Sequence, residues 1–346
     1  MNARVDRLRE QLEHPLLVTS LTNVRYLTGF RSSNAAVIVE QDRVRLFADF
    51  RYAEAGRQVP GVEFEITKRA LMTDLPERHR GRLGFEAGTL PYAHYETLAD
   101  GGIDLVPTHG LVEGIRAVKD NGEIAAIRAA TEITNAAFQR FSEEPVIGRT
   151  ERDLAFRMQT FLHELGAEGS AFPTIVAAGP NGANPHATPG ARVIEPGQSV
   201  IVDAGATLDG YCSDCTRTFA AGHLEGELRE AYFVCLRAQL DGLGAVRPGV
   251  SGFDADAAAR DTIEAEGLGA YFGHGLGHGV GMDVHELPRL STESTEILAV
   301  GNVTSVEPGI YLPGGGGIRI EDLVVVREAG GPEVLTSFTK ELVTLS

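Results

Sequence analysis

Four acidic residues lie in stretches of the sequence that otherwise have the composition of buried β-strands. Asp203 and Asp214 fall in the run 200–219, and Glu307 and Glu321 fall in the run 304–326. A buried carboxylate is costly unless it is paired, and a bound cation is a usual partner. The four residues therefore predict a metal site in the protein interior.

The first two acids flank a predicted hairpin turn. Asp209-Gly210 is a strong signal for a two-residue β-turn. With that turn, Asp203 lies opposite Thr216, and Asp214 lies two positions along on the same face. Diagonal neighbours of this kind are roughly 7–8 Å apart at the backbone, so both carboxylates can reach one site. Alternatively, one aspartate has only a turn-forming role.

Histidines are concentrated in the glycine-rich segment "GHGLGHGVGMDVHELPR" at 273–289, which contains His274, His278 and His285. A fourth, His186, lies in the predicted loop "NPHATPG". A single histidine is more often structural than catalytic. Three within twelve residues, among glycines that let backbone and ligand approach closely, favour a functional site.

Two aspartates, two glutamates and one histidine amount to four negative charges and one neutral nitrogen. Two divalent cations would neutralise the carboxylates and leave room for a bridging hydroxide. Oxygen-rich ligands favour a hard cation, so we expect Mn²⁺, with Co²⁺ or Zn²⁺ as alternatives. Two metal ions held close together polarise a carbonyl and lower the pKa of a shared water, which is the chemistry of metal-assisted peptide hydrolysis.

The elements that must position these groups occupy a chain of 346 residues, enough for two domains at about 100–200 residues each. Asp120 followed by Glu123 is a capping-box pattern ahead of a long helical period. We therefore expect a boundary near 112–120, with domains over 1–115 and 116–346. The mixture of short strands and helices predicts an α/β fold for the first domain. Its expected strands are 16–20, 35–40, 43–50, 83–88 and 103–107.

The second domain contains the same pattern twice. Segments 146–166 and 246–267 both have a glycine turn, a Thr150 or Ser251 cap with an acid three residues on, and a helix. Such repetition predicts a pseudo-twofold domain built from two units of about 100 residues. The flanking elements expected in each unit are a helix before it (123–142 and 225–245) and a strand pair after it (198–220 and 301–327).

Composition argues against several classes of partner. The net charge of −17, from 31 basic and 48 acidic residues, argues against nucleic acid or an anionic membrane surface. The sequence contains no run of about 18 apolar residues, the length needed to span a bilayer. The first fifteen residues read as a polar amphipathic helix without the apolar core of a signal peptide. We expect a cytoplasmic protein.

Two further patterns do not point to chemistry. Cys212 and Cys215 have the spacing of a redox pair or half a zinc site, but no second pair accompanies them. With Cys235 they are also too few for a disulfide scaffold. The glycines 314–317 lack the Lys-Ser/Thr of a phosphate loop, so a loose hairpin connection is expected there.

The motifs "VDAG", "SDCTRT", "HGLGHGVG", "VEPGIY" and "GIRIED" resemble the pita-bread metallopeptidases: prolidase (Xaa-Pro dipeptidase), aminopeptidase P, methionine aminopeptidase and the metal-free creatinase. "NVRYLTGFRSSNAAVIV" and "FADFRYAEA" resemble the creatinase-type N-terminal domain, which methionine aminopeptidases generally lack. The resemblance covers nearly the whole chain. It implies an α+β protein with a creatinase-like N-terminal α/β domain followed by a pita-bread pseudo-twofold catalytic domain.

The resemblance also implies a ligand set: Asp203, Asp214, His278, Glu307 and Glu321 match the five family ligands in order. Asp203 and Glu321 would bridge the two metal ions. Asp214 would bind one ion in bidentate fashion, and His278 and Glu307 would bind the other. The intact set argues against creatinase and against a non-catalytic binding protein of the same fold.

Further roles follow from the same resemblance. Glu307 would accept a proton from the attacking water and deliver it to the leaving imino group. His186 and His285 match histidines that line the substrate site and stabilise the tetrahedral intermediate. His274 is a candidate for the same wall. Arg319 would orient the metal-binding carboxylates.

The resemblance implies a homodimeric hydrolase whose substrate is a small peptide with proline at its second position. Proline preference rests on the resemblance alone, because no proline pocket can be traced in the sequence. Prolidase activity on dipeptides is the first expectation, and aminopeptidase P activity on longer peptides is the alternative. Arg289, in "HELPR", favours dipeptides if it binds a substrate carboxylate; a structural ion pair is an equal alternative for it.

Overall fold

The computed structural model describes residues 3–346, so the first two residues of the predicted N-terminal helix lie outside the described part. The chain divides into two compact units, one ending at Arg116 and one running from Ala117 to Ser346. None of the helices in residues 3–346 is long and apolar enough to cross a membrane.

The first unit is a six-stranded sheet with helices. The strand order is β4-β3-β2-β1-β5-β6, and β2 is antiparallel to both its neighbours while the other pairings are parallel. The five expected strands are all present, and β4 was not anticipated because its residues are mostly exposed or half-exposed. The elements are α1 Ala3–Arg9, β1 Leu16–Val18, α2 Leu21–Thr28, β2 Ala35–Val39, β3 Val44–Asp49, a 3₁₀ turn Phe50–Tyr52, α3 Ala53–Arg57, β4 Glu63–Thr67, α4 Leu71–Arg78, β5 Gly81–Glu86, α5 Tyr92–Asp100, β6 Ile103–Thr108 and α6 Leu111–Ala117.

The second unit carries the acidic hairpins and the clustered histidines. Its sheets have the strand orders β11-β10-β7, β20-β12-β9-β8, β14-β13-β15-β18-β19 and β16-β17. The elements are α7 Asn121–Phe141, α8 Glu151–Glu164, β7 Gly169–Ser170, β8 Ile175–Ala178, a 3₁₀ turn Gly179–Ala183, β9 Ser199–Asp203, β10 Ala206–Leu208, β11 Tyr211–Cys212, β12 Thr216–Ala221, α9 Gly226–Ala245, α10 Gly252–Ala265, a 3₁₀ turn Gly269–Tyr271, β13 Gly277–Gly279, β14 Glu286–Leu290, β15 Val303–Val306, β16 Gly309–Leu312, β17 Gly316–Arg319, β18 Asp322–Val325, β19 Glu333–Val334 and β20 Thr344–Leu345.

The predicted repeat is present in these elements. Thr150 accepts a hydrogen bond from the backbone of Asp153 at the start of α8, and Ser251 does the same with Asp254 at the start of α10. Each cap residue also forms an isolated antiparallel bridge, one to Val193 and one to residue 297. The helix, helix and strand-pair order therefore occurs twice.

Each repeat buries its own apolar cluster. The first cluster includes Phe138, Leu154 and Phe219, from α7, α8 and β12. The second includes Tyr232 and Ile263, from α9 and α10, together with side chains of β15 and β17. Burial of this apolar surface stabilises each strand pair against its own two helices.

The first hairpin has the predicted register. Asp209 and Gly210 both adopt the left-handed conformation, with φ of 49° and 79°, as a two-residue hairpin turn of this type requires. Asp203 consequently pairs with Thr216. The hairpin is interrupted beside this pair, because residues 213–215 belong to neither β11 nor β12.

The second hairpin departs from the prediction in two places. Glu321 was expected inside a strand but lies between β17 and β18, because its backbone N–H donates to the carbonyl of Thr216. The glycine run was expected to be a loose connection, yet Gly316 and Gly317 lie in β17. A side chain at 317 would collide with the carbonyl oxygen of Gly182, so glycine is needed there for a close backbone approach.

Candidate metal centre

Three carboxylates meet where the two hairpins are interrupted. Asp203 ends β9, Asp214 lies between β11 and β12, and Glu321 lies between β17 and β18. One oxygen from each of the three lies within 4.8 Å of the others. Residues more than 100 positions apart in sequence therefore form one cluster.

Two oxygens of this cluster are buried without a hydrogen-bond partner in the described chain: Oδ1 of Asp203 and Oε1 of Glu321. The second oxygen of each carboxylate is engaged, by Arg319 and by Thr216 respectively. A buried acceptor with no donor is costly, and a coordinated cation removes that cost. The donor set thus fits divalent metal ions.

Electrostatics supports the same conclusion. Burial raises the pKa of Asp214 well above its ordinary value, and the charges of Glu321, Asp203 and Glu307 raise it further. Burial also raises the pKa of Glu321 well above its ordinary value, and the charges of Glu307 and Asp203 raise it further. Without a cation, these carboxylates compete for protons. A bound cation favours their charged forms.

His278 and Glu307 complete the cluster. His278 Nδ1 donates to the carbonyl oxygen of Gly279 at 3.1 Å, so Nε2 is the ring nitrogen that faces the acids. Burial lowers the pKa of His278, but the hydrogen bond with Glu307 and the charge of that residue raise it overall, so without a cation Nε2 is protonated too, and a metal ion would take the place of that proton. Nε2 lies 3.0 Å from Oε1 of Glu307 and 3.7 Å from Oδ2 of Asp214. Burial opposes charge on Glu307, but its hydrogen bond with His278 and the nearby positive charges lower its pKa to about 2. The structure therefore brings all five predicted ligand residues together.

Arg319 and Thr216 connect the two hairpins behind the carboxylates. Arg319 is buried, and its Nη2 donates to Oδ2 of Asp203 at 2.6 Å while its Nε donates to Oγ1 of Thr216 at 3.1 Å. Thr216 Oγ1 in turn donates to Oε2 of Glu321 at 2.8 Å. The orienting contact expected of Arg319 is therefore present, and Thr216 adds a second one that the sequence did not single out.

His274 is held by two hydrogen-bond partners within the chain. Its Nδ1 donates to the carbonyl of Gly275 at 2.8 Å, and its Nε2 lies 2.9 Å from the hydroxyl of Tyr311. Arg319 donates to that hydroxyl at 2.9 Å, so the tyrosine proton points to His274. Burial raises the pKa of Tyr311 to about 12, which keeps this proton in place. Both ring nitrogens of His274 are occupied, and Tyr311 is a site residue that the sequence argument missed.

The other predicted residues lie at the exposed edge of the cluster. The ring of His285 is exposed and packs edge-on against His278, with 4.3 Å between centroids. Burial, followed by the charge of His278, lowers the pKa of His285, which favours its neutral form. His186 is exposed and follows Pro185, whose carbonyl accepts a hydrogen bond from Arg319 at 3.1 Å.

Arg289 lies on β14 directly opposite His278 in the strand ladder, so the two side chains share a face. It is exposed, and within residues 3–346 no acidic side chain forms an ion pair with it. The alternative of a structural ion pair is therefore not realised. The guanidinium is available to a carboxylate from outside the chain.

Comparison with known proteins gives the family. Residues 125–328 match metallopeptidase family M24, and residues 4–118 match the creatinase/prolidase N-terminal domain. The chain belongs to metallopeptidase family M24. The expected fold, a creatinase-type domain followed by a pita-bread domain, and the expected metallopeptidase class are thereby confirmed.

Individual relatives span nearly the full length of this M24 metallopeptidase. It is 40% identical over 337 residues to the uncharacterized peptidase YqhT of Bacillus subtilis (strain 168), covering 95% of each chain. Its structure is similar to the Xaa-Pro dipeptidase from Bacillus anthracis, with a TM-score of 0.94, 36% identity and 99% of each chain covered. It is also similar to the X-Pro aminopeptidase from Thermotoga maritima MSB8, with a TM-score of 0.89, 31% identity, and 98% of this chain and 100% of that chain covered.

Proposed function

We propose that the protein hydrolyses Xaa-Pro dipeptides and that Asp203, Asp214, His278, Glu307 and Glu321 hold two divalent metal ions for this reaction. The observation that carries the proposal is the convergence of these five side chains around buried, unpaired carboxylate oxygens. The oxygen-rich donor set favours Mn²⁺, with Co²⁺ and Zn²⁺ as alternatives. When bound, such ions polarise the scissile carbonyl and activate a water.

Glu307 is the residue we assign to proton transfer. Its carboxylate lies in the cluster beside Nε2 of His278 and is ionised at neutral pH, so one of its oxygens can accept the proton of the attacking water. The proline nitrogen of an Xaa-Pro bond has no hydrogen of its own and must gain a proton to leave. Glu307 can deliver the same proton to that nitrogen, which closes the proton balance of the hydrolysis.

His186 and His285 are the residues we assign to the developing oxyanion. Both are exposed at the edge of the cluster, and both side chains are open to a bound peptide. A hydrogen bond donated to the tetrahedral intermediate stabilises it more than it stabilises the substrate carbonyl. The role first expected of His274 changes to support of Tyr311, because its two nitrogens are already engaged.

Arg289 is the residue that favours dipeptides. Its free guanidinium on the His278 face can form a bidentate pair with the C-terminal carboxylate of Xaa-Pro. A longer peptide has no carboxylate at that position. Aminopeptidase P activity on longer peptides is the second candidate, and the similarity to the Thermotoga enzyme favours it.

The experiment compares three substrates with Mn²⁺-loaded protein: Ala-Pro, Ala-Pro amide and Ala-Pro-Ala, each with a chelator control. We expect chelator-sensitive cleavage of Ala-Pro, a higher KM for the amide, and poor cleavage of the tripeptide. In the Arg289→Ala variant, the KM difference between acid and amide should disappear. Efficient tripeptide cleavage would instead mean aminopeptidase P activity, and no cleavage of any of the three would contradict the proline preference.

We further infer a cytoplasmic homodimer, supported by the resemblance to prolidases in both parts of the chain. Light scattering during size-exclusion chromatography tests the dimer, with an expected mass of twice the 37.0 kDa chain. A monomeric mass would contradict it.

A further inference from the structure

Glu151 is a buried acid that lies outside the metal cluster, and its carboxylate binds a single loop. It is the first residue of α8 and is only 1% exposed. Its Oε1 accepts the backbone N–H of Ala178 at 2.9 Å, and its Oε2 accepts Nδ2 of Asn181 at 2.8 Å and the N–H of Gly190 at 3.0 Å. The donors are all uncharged, and the N-terminus of α8 favours a negative charge at this position.

The three donors span residues 178–190, which we call the His186 loop. Asn181 Nδ2 also donates to the carbonyl of Thr188 at 3.3 Å. The carboxylate of Glu151 therefore binds both ends of the loop directly and is linked to Thr188 through Asn181. The same loop also contacts the metal cluster's arginine, because the carbonyl of Pro185 accepts a hydrogen bond from Arg319. His186 is exposed, so the backbone of this loop determines where its ring lies.

The second repeat holds its histidine segment with a different acid. Asp256 of α10 is 1% exposed, and its Oδ1 accepts the N–H of Leu276 at 2.8 Å. Arg260 is paired with Asp256 and donates to the carbonyl of His274 at 2.8 Å. Gly252 occupies the position in α10 that Glu151 occupies in α8, one residue after the cap. Asp256 is therefore a matched control for an effect confined to the His186 loop.

We propose that Glu151 is a positioning residue that fixes the His186 loop and, through it, the imidazole of His186 at the reacting carbonyl. This inference rests on the proposed function. The hydrogen bonds of the Glu151 carboxylate go to this loop, so its effect on the site is indirect. In Glu151→Gln the shape is kept, but an NH₂ group replaces one acceptor oxygen and faces a donor of the loop, so at least one buried N–H loses its partner.

Hydrogen–deuterium exchange of the metal-loaded protein tests the structural half of this proposal without any activity measurement. Glu151→Gln should speed exchange in peptides covering 178–190 and leave 272–280 unchanged. Asp256→Asn should do the reverse. Unchanged exchange in 178–190 for Glu151→Gln, or faster exchange across both segments, would overturn the proposal.

A double-mutant cycle tests the functional half. A small misplacement of a site group costs up to about 100-fold in rate, so Glu151→Gln should lower kcat for Ala-Pro by between 10- and 100-fold with KM little changed. In the His186→Ala background the same substitution should cost less than about twofold, because the group through which it acts is gone. Equal losses in both backgrounds would show that Glu151 does not act through His186.

The two proposals can fail separately. If wild-type protein cleaves no Xaa-Pro peptide, the proposed function is wrong, and the exchange comparison still decides whether Glu151 holds the His186 loop. If the wild type is active and the exchange or the cycle gives the contrary result, only the role of Glu151 is wrong. A circular dichroism spectrum and a metal content like those of the wild type are the required controls for Glu151→Gln and Asp256→Asn.

Discussion

The two repeats of the second unit have the same architecture but supply different ligands. The first hairpin contributes Asp203 and Asp214, which lie diagonally across its register. The second contributes Glu307 and Glu321, whose positions face each other when the registers of the flanking pairs are extended. Each hairpin is interrupted where its acids lie. A symmetric scaffold can therefore hold an asymmetric ligand set, because the ligands lie at the breaks in its ladders.

The break in the second hairpin is maintained by one contact within its own repeat and by one contact with the first repeat. The N–H of Glu307 donates to Leu276 at 2.7 Å, and the N–H of Glu321 donates to Thr216 at 3.1 Å, so neither completes its own hairpin. Arg319 joins Asp203 of one repeat to the strand that precedes Glu321 in the other. The cluster is consequently a property of the pair of hairpins rather than of either one.

The largest effect is expected from removing a ligand of either repeat. Asp214→Asn and Glu321→Gln keep the size of the side chain but remove its charge. Each should lower kcat/KM by more than about 100-fold, the upper range for residues that only support metal ligands. Steady-state kinetics and metal analysis by mass spectrometry measure this. Full activity and metal content in either variant would mean that its repeat contributes no essential ligand.

A smaller effect is expected from the connection between repeats. In Arg319→Lys, a single ammonium cannot reach Asp203, Thr216 and Tyr311 together, because it lacks the planar fork of arginine. Metal affinity or activity should fall by about 10–100-fold. The control is Arg327→Lys, which alters a surface pair with Glu333 and should change neither quantity. A wild-type metal affinity and activity in Arg319→Lys would show that the repeats do not need this connection.

The close backbone approach between the repeats should be visible in stability. Gly317→Ala forces a methyl group against the carbonyl of Gly182, so the free energy of unfolding should fall by about 1–3 kcal/mol. Gly315→Ala, in the turn that precedes β17, is the control, because the nearest atom to a methyl group there lies 3.5 Å away. Thermal unfolding of the metal-free variants measures the difference. Equal melting temperatures would indicate that the approach is looser than the structure shows.

The smallest effect concerns the equivalence of the two repeats. Thr150→Ala and Ser251→Ala each remove a helix N-cap, and each should cost about 1 kcal/mol. For a unit of this size that corresponds to a fall of roughly 2–4 °C in Tm. Similar losses are expected, because both caps also anchor a bridge to a later segment. A loss in one variant only would argue against equivalent caps.

Local sequence signals were sufficient for much of the fold. The Asp209-Gly210 turn gave the pairing of Asp203 with Thr216, and the Asp120–Glu123 capping box is present at the start of α7. Both depend on residues close in sequence, so their geometry follows from local conformational preference. The order of acids and histidines, read through a family resemblance, was enough to anticipate which five side chains meet.

Long-range contacts were not available to the sequence argument. Glu321 falls outside a strand only because Thr216, 105 residues away, accepts its backbone hydrogen bond. Glu151 looked like an ordinary acid in a first helical turn, and its three donors lie 27 to 39 residues later. Tyr311 stood in a quoted motif, but only its partners reveal a role. Within residues 3–346, the lack of an ion pair at Arg289 is likewise a property of the folded chain.

The most direct test of a metal site shared by the two repeats is a calorimetric titration of chelator-treated protein with Mn²⁺. Wild-type protein should bind two ions per chain. Asp214→Asn, from the first hairpin, and Glu307→Gln, from the second, should each lose at least one of them. Binding of fewer than two ions by the wild type, or of two by both variants, would contradict a site built from both hairpins.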